Sequence, residues 1–329
     1  MTTQLKSGAI DTHAHVYPER YLDFLESIGV DPASTRIARN LRQDDSEADM
    51  SARLAMMDAA GVDFQVLSAT PQLPFGSGDF GDGVTAADAA KAARMVNEIY
   101  AQIVADRPDR FKAYGALPLP HVEESLAEIA FVLDELGFLG VALNAFVGKD
   151  GSLADPRLAP IFEELDRRGA IVYIHPAGHA AGCSAMVDHG LTWVNGAPME
   201  DAIATLQLLK ADYVFKYPHI RFHIAHLGGD LPFLAQRIQD NYDDWGAFAH
   251  SPAESFQRIY VDAANFFAPS LRMALEVYGP QHVMAGSDYP YFQDDKYVRA
   301  TGYIRGAGLA EDVERGVLFE NARALYGLE

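Results

Sequence analysis

Eight short apolar runs alternate with longer amphipathic segments along almost the whole chain, and this alternation constrains the fold more than any other feature. The runs are rich in β-branched and aromatic residues, and several amphipathic segments end at a glycine such as Gly61 or Gly137. We predict strands at 9–13, 64–68, 111–116, 140–143, 171–174, 221–225, 259–262 and 283–285. Eight strands that alternate with helices are typical of a parallel (β/α)8 TIM barrel, here predicted as a single domain over residues 1–329.

The alternative α/β architecture is an open, doubly wound sheet. Such sheets usually bind a dinucleotide or a phosphate at a glycine-rich turn, and neither GxGxxG nor GxxxxGKS/T follows the first strand. Two connections are long, residues 16–47 after the first strand and residues 176–198 after the fifth. In a barrel both connections lie at the C-terminal mouth, where active sites are built.

The charge and the cysteine content exclude several classes of partner and cofactor. A formal net charge of −20 disfavours nucleic acid and anionic membranes as partners. The single cysteine, Cys183, excludes an intrachain disulfide, a cysteine-based zinc site and an iron–sulfur cluster. Residues 1–8 lack the apolar core of a signal peptide, and no stretch approaches a membrane-spanning length. We therefore expect a soluble, cytoplasmic protein without nucleic-acid or membrane partners.

The end of the first predicted strand carries His13 and His15. Residues two apart on a strand point to the same face, so the two imidazoles converge at the barrel axis or its mouth. Converging neutral imidazoles suit a divalent metal, although an isolated pair of this kind is also common in surface loops.

Polar residues at two other strand ends favour the metal interpretation. His175 ends the fifth strand, and Asp288 follows the eighth, which neighbours the first strand in a closed barrel. The predicted metal ligands are therefore His13, His15, His175 and Asp288, with room left for a solvent or substrate oxygen. The alternative is that His175 and Asp288 are ordinary polar residues at strand ends.

His226 ends the sixth strand and precedes Gly228 and Gly229. We expect it to act as a base or as a donor to a metal-bound oxygen, and we expect the glycines to bring the backbone close to a ligand. His223, inside the same strand, is expected to be a core residue. The fourth strand ends at Asn144 and has no lysine or glutamate to bridge two metals, which predicts a single metal ion.

Four segments together resemble the amidohydrolase superfamily, and more narrowly the amino-carboxymuconate-semialdehyde decarboxylase family. They are 11–15 (Asp-Thr-His-Ala-His), 175–176 (His-Pro), 226–233 (His-Leu-Gly-Gly-Asp-Leu-Pro-Phe) and 286–290 (Gly-Ser-Asp-Tyr-Pro). The resemblance covers nearly the whole chain. It implies a metal-dependent barrel that removes carbon dioxide, without oxidation, from an aromatic or cyclic carboxylic acid.

Carried over by position, the resemblance implies that His226 is the catalytic histidine and that Asp288 is both ligand and catalytic group. Arg237 falls where the family often places an arginine for the substrate carboxylate, in some members reaching a neighbouring subunit, which implies a homodimer. A solvated helix face is the alternative for Arg237. Some benzoate decarboxylases of the family have glutamate at the positions of His13 and Gly229. The chain therefore resembles the zinc-using branch, with Mn²⁺ as the alternative to Zn²⁺.

The two long connections are expected to shape the substrate site. Arg36, Arg39 and Arg42 in the first are all candidates for a second substrate arginine. Trp193 in the second is predicted to contact the substrate, and the further aromatic candidates are Phe146, Tyr289 and Phe292, of which Phe292 is expected to serve ordinary packing. The alternative function is metal-dependent hydrolysis or hydration of a lactone, an amide or a cyclic acid. A barrel that binds metal without turnover is a third possibility.

Overall fold

The computed structural model describes residues 8–74, 84–148 and 151–328, and its centre is an eight-stranded parallel sheet rolled into a barrel. The strands neighbour one another in chain order. They are β1 (Ala9–His15), β2 (Val62–Ser68), β3 (Phe111–Ala116), β4 (Gly140–Asn144), β5 (Ile171–His175), β6 (Arg221–Ile224), β7 (Tyr260–Asp262) and β8 (Val283–Met284). The predicted (β/α)8 barrel is confirmed, with strand ends that differ from prediction by up to two residues.

The last and first strands close the barrel through a few backbone contacts. The Thr12 N–H donates to the Ala285 carbonyl at 3.0 Å, and the His15 N–H donates to the Tyr289 carbonyl at 2.7 Å. This closure brings the segment after β8 directly beside the end of β1, which carries the histidine pair.

Helices surround the barrel and fill its connections. They are α1 (Glu19–Ser27), α2 (Pro32–Leu41), α3 (Glu47–Ala60), α4 (Ala86–Asp106), α5 (Val122–Ala130), α6 (Ala159–Arg167), α7 (Ser184–Val187), α8 (Ala197–Lys210), α9 (Tyr213–Lys216), α10 (Leu231–Trp245), α11 (Pro252–Phe256), α12 (Ala268–Tyr278), α13 (Asp295–Arg305), α14 (Glu311–Arg315) and α15 (Asn321–Tyr326). A short antiparallel pair, Phe146–Val147 with Gly151–Ser152, follows β4. None of the described helices is long and apolar enough to span a membrane, and the cytoplasmic location stays a prediction.

Helix α3 illustrates how the local sequence sets its own ends. The Ser46 hydroxyl accepts the Asp49 N–H at the N-terminus, and Gly61 ends the helix in the left-handed region with φ of 65°. Met50 and Met57 are buried on the inner face, and the chain then enters β2. The predicted sequence of helix, glycine and buried strand is confirmed here.

The first long connection is more ordered than the sequence suggested. It contains α1, which buries Tyr21, Leu22 and Leu25, and α2, which begins at Asp31 and Pro32. The Asp31 carboxylate accepts the Ala33 N–H, and proline is favourable at the first helical position. Residues of α2 line a cavity together with Trp193 of the second long connection.

Candidate metal centre and catalytic cavity

The four predicted metal ligands meet at the C-terminal mouth of the barrel. His13 and His15 come from β1, His175 ends β5, and Asp288 lies four residues after β8. One potential ligand atom from each lies within 4.8 Å of all the others, and all four residues are buried. Asp288 Oδ1 is 3.3 Å from Nε2 of both His13 and His15. The geometry fits one cation held by three imidazoles and a carboxylate.

The outer nitrogens of the three imidazoles are occupied by other partners. Nδ1 of His13 donates to Asp262 Oδ2 at 3.0 Å, Nδ1 of His15 faces the Ser68 carbonyl at 3.3 Å, and Nδ1 of His175 faces its neighbouring carbonyl at 2.9 Å. The inner Nε2 atoms of His13 and His175 are buried without a hydrogen-bond partner among the described residues. A metal-binding histidine typically offers one free ring nitrogen to the ion while a hydrogen bond at the other nitrogen fixes the ring. The residues therefore fit the predicted cofactor.

Burial and neighbouring charges shift the pKa values of the three imidazoles in different directions. Burial lowers the pKa of His15 to about 4 and holds that of His175 well below its usual range. Burial acts in the same direction on His13, but the carboxylates of Asp262 and Asp288 outweigh it and raise its pKa to about 9. Two rings are therefore ready to bind a cation near neutral pH, whereas His13 must first lose a proton.

Asp288 connects the ligand cluster to the predicted catalytic histidine. Its backbone is in the left-handed region with φ of 54°, and its N–H donates to the His13 carbonyl at 2.9 Å. Oδ1 faces the histidine pair of β1, while Oδ2 lies 3.5 Å from Nε2 of His226. One carboxylate thus touches both the metal ligands and His226.

His226 is held from behind by Asp201, a residue of α8. Nδ1 of His226 donates to Asp201 Oδ2 at 2.9 Å, and the Asp201 side chain is fully buried. Burial favours the neutral imidazole, but Asp201 and Asp288 outweigh it and raise the pKa of His226 well above its usual value. This shift favours the imidazolium form of His226, with Nε2 3.5 Å from Asp288 Oδ2.

Gly229, in the turn after His226, lies close to the start of α8. A Cβ on Gly229 would lie 1.9 Å from the Pro198 carbonyl oxygen, and the residue has φ of 67°. The close approach that excludes a side chain at Gly229 is therefore between this turn and the start of α8, which carries Asp201. The expected approach to a ligand stays a prediction.

A cavity of about 280 Å³ opens beside the four predicted metal ligands. Its volume is near the lower end of the range for small-molecule sites. His175, His226 and Asp288 form its floor. Its aromatic walls are Trp193, Phe266, Tyr291 and Phe292. Trp193 and Phe292 both line the cavity, and Phe292 also packs edge-on against Phe266 with 4.7 Å between ring centroids. Two further aromatic candidates lie elsewhere, since Phe146 belongs to the short antiparallel pair and Tyr289 packs over Arg53.

The three arginine candidates of the first connection have different surroundings in the structure. Arg39 is engaged in ion pairs with Asp23 and Glu26, and Arg42 is exposed at the end of α2. Arg36 lines a second cavity of about 570 Å³, which shares Trp193 with the first. Arg237 lies on the exposed side of α10 and outside the cavity lining within one chain, so its role stays a prediction.

Several residues of the site were not identified from the sequence. Asp262 ends β7 and lies between Nδ1 of His13 and Nε2 of His223, at 3.0 and 3.5 Å. His223 is fully buried and also contacts the Tyr114 hydroxyl, as expected for a core residue. A carboxylate at a strand end was a usable signal for Asp262. No comparable signal existed for Asp201, which precedes His226 by 25 residues on a helix.

A (β/α)8 barrel with three histidines and one aspartate at the ends of β1, β5 and β8 defines a metal-dependent amidohydrolase-type enzyme. The amidohydrolase family profile matches residues 10–328, and the chain belongs to this family.

The known proteins that the chain resembles indicate which reaction class within the family it belongs to. The chain is 30% identical over 305 residues to 2-amino-3-carboxymuconate-6-semialdehyde decarboxylase of Dictyostelium discoideum, covering 87% of this chain and 82% of that protein. It is 26% identical to gamma-resorcylate decarboxylase of a Rhizobium species, covering 84% and 86%. A solved structure of 5-carboxyvanillate decarboxylase from Sphingomonas paucimobilis matches with a TM-score of 0.81 and 26% identity, covering 98% and 100%. The predicted class, a metal-dependent carboxy-lyase of the amidohydrolase superfamily, is confirmed.

Proposed function

We propose that the chain, as one barrel domain over residues 1–329, decarboxylates an aromatic acid that carries a hydroxyl group beside the carboxyl group. The observation that carries the proposal is the position of Asp288 between the ligand His13 and His226. Its Oδ1 is 3.3 Å from Nε2 of His13, and its Oδ2 is 3.5 Å from Nε2 of His226. The names of the relatives support the substrate class, since gamma-resorcylate and 6-methylsalicylate decarboxylases are among them. The cavity of about 280 Å³ suits a single aromatic ring.

The chemistry requires a proton on the ring carbon that bears the carboxyl group. His13, His15, His175 and Asp288 would hold a divalent ion, which would supply positive charge to orient and polarise substrate oxygens. His226 carries a proton on Nε2 and passes it through Asp288, or through a water molecule, to that ring carbon. The bond to the carboxyl carbon then breaks, its electron pair returns to the ring, and carbon dioxide leaves.

The walls of the cavity orient the ring and exclude water. The ring centroids of Trp193 and Tyr291 lie 6.1 Å apart, with 29° between the ring planes. The two rings thus provide an aromatic surface beside the predicted metal ligands. Of the three arginines in the first connection, we propose Arg36 for the substrate carboxylate, because it alone of the three lines a described cavity that adjoins Trp193.

We propose Zn²⁺ as the metal, with Mn²⁺ as the alternative. Three imidazoles and a carboxylate suit zinc, and the absence of cysteine ligands also leaves the site acceptable to manganese. Elemental analysis of the protein purified without added metal, followed by reconstitution of the chelated protein with each ion, distinguishes the two.

We also propose a homodimer formed through the outer face of α10. Phe233 and Trp245 on this helix are 77% and 78% exposed, and Arg237 lies between them at a spacing of four and eight residues. Sedimentation of the parent and of Phe233→Asp tests this. A dimeric parent and a monomeric variant support the proposal, whereas a monomeric parent contradicts it.

The function is tested by measuring carbon dioxide release from 2,6-dihydroxybenzoate, 6-methylsalicylate and unsubstituted benzoate by the metal-loaded protein. We expect turnover of at least one hydroxylated acid, none of benzoate, loss of activity with chelator, and loss in Asp288→Asn. The matched control, Asp312→Asn on the exposed side of α14, should behave as the parent. No turnover by the fully metallated protein, or metal-independent turnover, contradicts the proposal.

A lactone and an amide in ¹⁸O-labelled water test the alternative hydrolase. Incorporation of the label into product, without carbon dioxide release from any acid, would support hydrolysis instead.

A further inference from the structure

The connection between β5 and α8 forms the wall of the catalytic cavity that carries Trp193. Its backbone is unusually contorted, because Gly178, Ala180, Ala181 and Gly182 all have φ between 49° and 84°. Alanine rarely adopts this region, so these turns persist only where surrounding contacts hold them. The structure therefore requires something that fixes this segment.

Glu200, in the first turn of α8, makes those contacts with its carboxylate. Oε2 accepts the N–H groups of Ala177 and Gly178 at 2.5 and 2.9 Å. Oε1 accepts those of His179 and Ala181 at 2.6 and 3.2 Å. The residue is fully buried, and each oxygen receives two donors, so the group acts as a pure acceptor.

The clamped segment lies directly against Trp193. A Cβ on Gly178 would be 2.5 Å from Cζ2 of the indole, and one on Gly196 would be 2.7 Å from the Cβ of Ala180. The segment is thus in close contact with both the ring and the π-helical turn Thr192–Gly196 that carries it. The position of the indole depends on the position of residues 177–181.

We propose that Glu200 is a positioning residue, which fixes residues 177–181 so that Trp193 closes the substrate side of the catalytic cavity. This inference deepens the proposed function, on which its kinetic part rests, and it goes beyond the metal ligands and His226. The residue next to Glu200 is Asp201, which accepts a hydrogen bond from His226, so the N-terminal part of α8 contacts both the wall and the proposed catalytic histidine.

The experiment uses Trp193 as its own reporter. The chain contains two tryptophans, and Trp245→Phe removes the exposed one. In this background we compare Glu200→Gln with the matched control Glu311→Gln, which changes an exposed side chain on α14. Glutamine keeps one oxygen for two donors but turns an NH₂ group towards the other two.

We expect the metal-loaded Glu200→Gln protein to emit at longer wavelength. We expect its acrylamide quenching constant to rise by up to about 2.5-fold, the limit set by full exposure of an indole that is 39% exposed in the parent. With an accepted aromatic acid, KM should rise by up to about tenfold, the worth of one stacked ring, with a smaller change in kcat. Glu311→Gln should match the parent in every measurement.

Glu200→Asp provides a second test that keeps a carboxylate but shortens the side chain, and it decides the matter where Glu200→Gln does not fold. The shorter carboxylate cannot reach all four N–H groups, so it should produce a spectral change in the same direction. Parent-like emission and quenching in either folded variant overturns the inference. A spectral change in a protein whose parent turns over no acid supports the positioning role, and the proposed function alone then fails.

Discussion

Replacing Asp201 by asparagine tests whether His226 works as a proton donor supported by a buried carboxylate. Asp201 Oδ2 lies 2.9 Å from Nδ1 of His226, and the two side chains are 0% and 12% exposed. Burial raises the pKa of Asp201 to about 7, and above that pH two unit charges about 4 Å apart interact by about 4 kcal/mol at an effective dielectric constant of about 20. Asparagine preserves the shape and one hydrogen bond but not the charge, so most of this stabilisation of the protonated imidazole disappears.

A loss of about 3–4 kcal/mol in the stability of the protonated imidazole lowers the pKa of His226 by about two to three pH units. At pH values above this lowered pKa, kcat should therefore decrease by up to about 100- to 1,000-fold. The substitution also moves the pH dependence. Asp201 and Asp288 raise the pKa of His226 in the native protein. With Asp201 neutral this pKa falls, so the pH above which activity declines should move downwards.

The assay is carbon dioxide release from an accepted aromatic acid as a function of pH, with metal content measured on the same samples. Asp312→Asn serves as the control for loss of one surface carboxylate. The reasoning is refuted if Asp201→Asn, fully metallated, keeps kcat within about threefold of the parent throughout the alkaline limb of the profile. It is also refuted if the alkaline limb of the profile does not move.

Three further measurements test the metal site and the buried arginine beside it. Because the pKa of His13 is about 9 while that of His15 is about 4, metal binding near pH 8 should release about one proton, and affinity should rise about tenfold per pH unit up to pH 9. Calorimetry in buffers of different ionisation enthalpy measures this, and binding without proton release contradicts it. Metal at about one hundred times its Kd should stabilise the fold by about 2.7 kcal/mol, visible as a higher Tm that chelator reverses and absent if the site does not bind. Arg53 is buried, donating to Gln65 at 2.7 Å and to the His15 carbonyl at 2.6 Å. Arg53→Ala should therefore lower the free energy of unfolding in urea by about 3–5 kcal/mol, and exposed Arg315→Ala by less than about 0.5 kcal/mol, whereas equal effects would refute the buried role.

The ligand set was predictable because barrel geometry converts sequence position into spatial position. Strand ends in a parallel barrel all face one mouth, so His15 and His175 could be assigned to one site from their places in the sequence. Asp288 was predictable for the same reason, although β8 ends at Met284 and the aspartate is reached through an irregular segment. Its left-handed backbone and its hydrogen bond to β1 depend on barrel closure, which no local pattern encodes.

Helix-borne residues of the site were not predictable by the same argument. An amphipathic pattern indicates which face of a helix is buried, but not which turn lies beneath a given loop. Glu200 and Asp201 are both fully buried on α8, where single acidic residues usually mark an exposed face. Helices α1 and α2 were missed because the first connection lacks a long apolar period, although Asp31 followed by Pro32 is a recognisable helix start.

The division between strand-borne and helix-borne residues has a chemical consequence. His13, His15 and His175 are attached to the rigid barrel, so the metal position is fixed by the sheet. Asp201 reaches the site from α8, whose start packs so closely on the turn after His226 that Gly229 has no room for a Cβ. A small displacement of α8 would therefore move the proton donor relative to a stationary cation. Changes at the contacts between α8 and the His226 turn, such as those of Asp201 and Gly229, should consequently lower kcat at constant metal affinity. Changes within β1 or β5 should lower both.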